Sequence, residues 1–219
     1  MKKDPCSSSP SPEANLYAGD CEFTGFLLKK AAQRQAMTQR SDKWKSCLSR
    51  AAKVKLLLLD VDGVLTDGSI TYTQNGDEVK SFNCRDGFGI NILRKAGVEV
   101  GIITARKSEA LERRARDLSL TMLYQGIRNK ASLLQEILTE MELSADQVAY
   151  MGDDWLDLCL LTKVGLALGV ADATPEVRNV VHYLADNPGG CGAVREVCDL
   201  IIEAKGKRQE LLNEYLNRQ

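Results

Sequence analysis

The sequence predicts an α/β fold, a parallel sheet covered by helices on both faces. Two patterns predict it. From Val54 onward, short apolar runs alternate with stretches of helical periodicity. The runs are continuously apolar, as strands buried on both sides are. Between them, apolar residues recur three and four apart, which gives each helix one face to lay on the sheet.

The elements follow in order. The strands are read at residues 54–59 (VKLLLL), 98–104 (VEVGIIT), 121–126 (TMLYQG), 148–153 (VAYMGD) and 164–169 (VGLALG). Ser108 is placed to cap a helix whose Leu111, Ala115 and Leu118 share a face. Leu134, Ile137, Leu138 and Met141 do the same for the next. Residues 69–82 (SITYTQNGDEVKSF) break the alternation with two strand-like halves around Asn75-Gly76. Asn-Gly is a strong hairpin signal, because both central positions of the tightest turn take positive φ. A β-hairpin therefore projects after the first strand, and no insertion has the size of a second domain. The fold class is a three-layer, Rossmann-like parallel sheet without a large cap domain and with a projecting hairpin.

Ahead of this unit the composition changes. Residues 1–15 are rich in serine and proline and read as a disordered lead-in. Lys29, Lys30, Arg34, Arg40, Lys43, Lys45 and Arg50 then face only Asp42. An arm touching an anionic surface or nucleic acid is one reading of that stretch, and a solvated helix beside the main domain is the better one. Ser41 can cap such a helix through Ala52, with Trp44, Leu48 and Ala52 on one face. The expected organisation is a partly disordered, basic extension (1–50), one α/β domain (51–207) and a C-terminal tail (208–219).

Global composition excludes several classes. The net charge of -1 gives no basic surface for nucleic acid. No apolar run approaches the roughly 18 residues of a membrane span. The patch at residues 23–28 (FTGFLL) is too short and too late for a secretory signal. The seven cysteines are irregularly spaced without a C-x-x-C pair, and His182 is the only histidine. Free thiols in a cytoplasmic protein are the expectation, with His182 satisfied structurally.

In a parallel α/β sheet, ligands bind at the carboxyl ends of the strands. The first strand ends in Asp60 and Asp62, the second in Thr104 with Arg106 beyond. The fourth ends in Asp153 and Asp154, with Asp157 one turn on, and Lys130 opens the helix after the third. Clustered carboxylates repel, and with oxygen ligands alone Mg2+ is the natural counter-ion. Magnesium shares its shell with waters and substrate phosphate, and a threonine hydroxyl and a lysine suit the remaining phosphoryl oxygens. No Walker-type phosphate loop is present. Asp60 and Asp62 as a plain surface turn is the bland alternative, which the apolar strand feeding them disfavours.

These residues resemble the four motifs of the haloacid dehalogenase-type phosphatases: Asp60-Val61-Asp62-Gly63-Val64, Thr104, Lys130 and GDDWLD over 152–157. FNCRDGFGI (82–90), IITAR (102–106), LYQG (123–126) and GGCGAVREVCDL (189–200) further resemble the 3-deoxy-D-manno-octulosonate 8-phosphate phosphatases. These make the sugar acid of lipopolysaccharide. The resemblance spans about residues 52–210. It implies that Asp60 attacks phosphorus and that Asp62 handles the proton. It implies a metal held by Asp60, the Asp62 carbonyl and Asp153, with Thr104 and Lys130 on the phosphoryl oxygens and Asp154 and Asp157 in support. It also implies a sugar-acid phosphate as substrate, a homotetramer built on the hairpins, and a neighbouring subunit closing each site. Arg106, then Arg85 from an adjacent subunit, are the candidates for the substrate carboxylate. The glycine-rich segment 188–196 is a candidate to order over the site. Two positions depart from the pattern: Ala105 stands where glycine is usual, and Cys191 where arginine is frequent. A phosphatase for a nine-carbon homologue of that substrate and a non-catalytic module on the same fold are the competing readings.

Overall fold

The computed structural model describes residues 40–217. The lead-in over 1–15 and the basic stretch before Arg40 lie outside the described residues. In chain order the elements are α1 (Asp42–Ala51), β1 (Leu56–Leu59), β2 (Thr71–Tyr72), β3 (Glu78–Val79), α2 (Cys84–Lys95), β4 (Glu99–Ile103) and α3 (Glu109–Asp117). Then come β5 (Met122–Tyr124), α4 (Lys130–Glu140), β6 (Val148–Gly152), α5 (Leu158–Leu161), β7 (Leu166–Gly169), α6 (Pro175–Val180), β8 (Tyr183–Leu184), α7 (Ala193–Ala204) and α8 (Arg208–Leu216).

The main sheet runs β5-β4-β1-β6-β7-β8 with every neighbouring pair parallel. β1 lies at its centre. Leu57 pairs Val100 of β4 on one side and Ala149 of β6 on the other. All four β1 leucines are therefore buried, which is why the strand needs an unbroken apolar run. Numbered within the sheet alone, the six strands run 3-2-1-4-5-6. That order reverses direction between β1 and β6, and a crevice for ligand opens at such a switch point. β8 extends the sheet past the five strands expected; two residues are too few to give a periodic signal.

α1 presents Trp44, Cys47 and Ala51 to the core, whereas Leu48 is half-buried and Ala52 exposed. Ala52 falls outside the helix, which ends at Ala51, and the buried face follows the i, i+3, i+7 spacing of Trp44, Cys47 and Ala51. The Trp44 indole donates to Glu203 Oε1 at 3.1 Å, and its ring meets Tyr183 edge-on. α2 and α7 pack closely because a Cβ at Gly89 would lie 3.0 Å from Arg195 Cα. Asp86, buried in the first turn of α2, accepts from the backbone N–H groups of Gly192 (3.3 Å) and Arg195 (2.8 Å), so one helix caps the start of another. Part of the stretch expected as a tail forms α8, with Leu211 buried.

The hairpin is present, with Thr71 opposite Val79 and Tyr72 opposite Glu78. Its turn differs from the expectation. Gly76 N donates to Thr73 O at 3.0 Å and Thr73 N to Asp77 O at 2.9 Å. Gly76 has φ +88, while Asn75 is not among the residues of positive φ. A turn closed by one left-handed glycine needs a single positive φ, so the glycine carries the geometry. Among the described residues, no helix is long and apolar enough to cross a membrane.

Candidate active site

The β1–β6 switch point brings the carboxylates together. Asp60 follows β1 directly, and its N–H donates to Met151 O on β6 at 3.0 Å. Val61 turns back into the core, and its carbonyl accepts from Val64, Leu65 and Thr66 N–H groups at 2.9–3.2 Å. This tight loop lifts Asp62 to the same rim. Gly63 makes it possible: φ is +86, and a Cβ there would lie 2.1 Å from Asp153 Oδ2.

Four groups interlock beneath the rim. Lys130 Nζ reaches Asp60 Oδ1 at 3.1 Å, Asp157 Oδ1 at 2.7 Å and the Tyr150 hydroxyl at 3.0 Å. The Tyr150 hydroxyl donates to Asp157 Oδ1 at 2.5 Å. Asp157 Oδ2 accepts from the N–H groups of Asp153 (2.9 Å) and Asp154 (3.3 Å). Asp157 is fully buried with both oxygens engaged by these partners. Asp154 is exposed, and its Oδ1 accepts from Trp155 N–H at 2.7 Å, starting the turn into α5.

Oxygens of Asp60, Asp153 and Asp157 lie within 4.8 Å of one another. Burial, then the Asp157 charge, pushes Asp60 up to about 7 against the pull of Lys130. Burial, then Asp157, Asp60 and Asp154, push Asp153 to about 7 as well. Burial would lower Lys130, but Asp60 and Asp157 raise it, so it stays an ammonium. One ammonium against three carboxylates leaves two negative charges uncompensated. A divalent cation fits that deficit, and Asp60 and Asp153 are the two carboxylates with oxygens to offer it.

Thr104 is buried at the end of β4, its N–H on Tyr124 O at 2.9 Å. Its Oγ1 accepts from Arg106 N–H at 3.3 Å. Arg106 bridges outward: Nη2 lies 3.0 Å from Glu78 Oε1 and Nε 3.6 Å from Asp62 Oδ2. Lys80 contacts Asp62 Oδ1 directly and Glu78 Oε1 at 3.1 Å. Sequence reading missed Lys80, Glu78 and Tyr150. The signal for the first two was their spacing, two apart in the hairpin and so on one face. Tyr150 sits inside an apolar strand, where nothing marks its hydroxyl as a partner.

The structure brings Asp60, Lys130, Asp153 and Asp157 together, and places Asp62, two residues beyond Asp60, beside Lys80 and Arg106. It does not bring Arg85 to them within this chain. Arg85 is exposed at the start of α2, and its charge acts on Asp86. The glycine-rich segment packs against the loop that follows β1. Gly190 N donates to Val64 O at 2.9 Å, and a Cβ at Gly189 would lie 1.9 Å from Gly63 O. Ala105 is exposed and not among the residues of positive φ, so its methyl needs no strained backbone. Cys84, Cys159 and Cys191 are exposed free thiols. His182 Nδ1 accepts from Ala167 N–H at 2.9 Å, a structural role.

A doubly wound sheet with paired aspartates at its central strand tip and a lysine-bridged carboxylate beside it defines a class. The family model for haloacid dehalogenase-like hydrolases matches residues 123–195. The 3-deoxy-D-manno-octulosonate 8-phosphate phosphatase of Yersinia pestis is 46% identical over 160 residues, covering 73% of this chain and 86% of that protein. The enzyme of the same name from Escherichia coli K12 is 45% identical over 163 residues, covering 74% and 87%. The solved structure of 3-deoxy-D-manno-octulosonate 8-phosphate phosphatase from Moraxella catarrhalis, in complex with magnesium ion, phosphate ion and the sugar acid, is 34% identical. It superposes with a TM-score of 0.76, covering 78% of this chain and 98% of that one. The chain belongs to the haloacid dehalogenase-like hydrolases, in the family of the 3-deoxy-D-manno-octulosonate 8-phosphate phosphatases.

Proposed function

We propose that this chain is a magnesium-dependent phosphomonoesterase that hydrolyses 3-deoxy-D-manno-octulosonate 8-phosphate to the free sugar acid and phosphate. The observation that carries it is Asp60 at the tip of the central strand, 3.1 Å from Lys130 and clustered with Asp153. The relatives' activity supports the substrate, and so does the need for cations around an anionic sugar acid.

In this reading Asp60 attacks phosphorus and becomes an aspartyl phosphate, while the P–O bond to the sugar breaks. Asp62 gives its proton to the leaving sugar oxygen. It then takes one from the water that cleaves the aspartyl phosphate, which regenerates Asp60. Lys130 and Thr104 hold phosphoryl oxygens, and Asp157 with Tyr150 keeps Lys130 aimed at Asp60. Asp60, the Asp62 carbonyl and Asp153 would hold magnesium, which neutralises charge on the phosphoryl group when bound. Asp154 supports the turn that presents Asp153.

Arg106 is the first candidate for the substrate carboxylate: its side chain is 40% exposed, and its Nε lacks a hydrogen-bond partner. Arg85 of a neighbouring subunit is the second. The assembly fits a homotetramer packed through the hairpins, where Ile70, Tyr72 and Val79 are 49%, 61% and 45% exposed. A cytoplasmic location fits the free thiols of the described residues.

Steady-state kinetics on this ester and on its nine-carbon homologue test the substrate. The eight-carbon ester is expected to have the higher kcat/KM, and a clear preference for the nine-carbon one would overturn it.

A further inference from the structure

One buried cation has no part in the steps above. Lys80 enters the site from the hairpin with its side chain only 3% exposed. A lysine taken so far out of water must be paired. Its partners are Asp62 Oδ1 and Glu78 Oε1, the latter at 3.1 Å. Glu78 Oε1 also takes Arg106 Nη2 at 3.0 Å, and Arg106 Nε lies 3.6 Å from Asp62 Oδ2.

These four side chains close a ring of two carboxylates and two cations. Of its two cations Lys80 is the buried one, 3% exposed against 40% for Arg106, so Lys80 is the one held within the ring. The ring also treats the Asp62 oxygens unequally. Oδ1 is taken by Lys80, whereas Oδ2 has Arg106 only beyond hydrogen-bond reach. A carboxylate gripped at one oxygen has its plane fixed and presents the other.

We propose that Lys80 is a positioning residue for Asp62: held by Glu78 of the hairpin, it fixes that carboxylate so that Oδ2 exchanges the proton with the leaving sugar. The inference rests on the acid–base role given to Asp62 above. It makes the hairpin part of the active site of its own chain. Glu78 and Lys80 share one face of the strand and point to the site, while Val79 between them points to solvent.

The test uses the full-length, magnesium-loaded protein and two esters, 3-deoxy-D-manno-octulosonate 8-phosphate and para-nitrophenyl phosphate. Nitrophenolate leaves without a proton, so its first turnover does not need Asp62, while the hydrolysis that follows does. Lys80→Met is expected to lower kcat on the sugar ester about tenfold or more with KM within about threefold, and Lys80→Arg to restore most of it. On the nitrophenyl ester Lys80→Met should give a rapid burst of nitrophenolate followed by a slow steady state. A merely structural role would depress both phases together and would overturn the proposal. In an Asp62→Asn background, adding Lys80→Met should cost no more than about twofold, because the two act as one unit. A full further loss there, or a raised KM with kcat intact, also overturns it. The two readings fail separately. Lys80→Met inert beside a crippled Asp62→Asn sinks this proposal alone, whereas Asp62→Asn inert on the sugar ester sinks the acid–base reading and this proposal with it.

Discussion

Asp157 shows how much of the site depends on a residue that never meets substrate in this account. Its two oxygens hold Lys130, Tyr150 and the N–H groups of Asp153 and Asp154, so one carboxylate holds both the cation and the loop that carries Asp153. Asp157→Asn is expected to cut kcat about 10- to 100-fold, the usual cost of losing such a supporting partner. Tyr150→Phe removes one hydroxyl and leaves Asp157 and Lys130 paired. It should cost about 1–3 kcal/mol of stability by urea unfolding and much less activity than Asp157→Asn. Asp60, Asp62, Lys130 and Asp153 were legible in the sequence because strand ends and helix starts fix where they emerge. Lys80 and Tyr150 were not. Their roles depend on which face of a short hairpin, or which side of a buried strand, meets the loop after β1, and only the three-dimensional register decides that.

At the scale of elements, the sheet was readable because continuous apolar runs admit one solution, burial on both faces. β8 and the hairpin turn were not: two residues carry no periodicity, and Asn-Gly fits more than one turn. The α2–α7 contact was also invisible, since it depends on Asp86 reaching across more than a hundred residues to Gly192 and Arg195. Asp86→Ala leaves those N–H groups unpaired in the interior and is expected to cost about 1–3 kcal/mol, measured by denaturant unfolding. The hairpin carries the expectation about assembly. Tyr72→Lys with Val79→Lys puts two charges on its exposed apolar residues and should yield a smaller species by light scattering. An unchanged mass would remove the hairpins from the interface.

For the whole molecule, the charge balance at the switch point links fold, metal and pH. Asp60 and Asp153 sit at about 7, above the 3.8 of a free carboxyl. A raised carboxylate stabilises the fold while protonated and loses that contribution as pH rises through its folded value. Metal-free protein should therefore lose stability from these two groups between about pH 4 and pH 7. Magnesium competes with the same protons, so its affinity should rise roughly tenfold or more from pH 6 to pH 8, read by calorimetric titration. Equal affinity at both values would mean that the ion binds elsewhere.

The central claim is that the tip of β1 is a nucleophile. Rapid quenching of the magnesium-loaded enzyme during turnover of 3-deoxy-D-manno-octulosonate 8-phosphate, followed by borohydride reduction and peptide mapping, tests it most directly. The account predicts a modified residue at Asp60 and nowhere else. Turnover with no modified residue, or with the mark on another side chain, would contradict it.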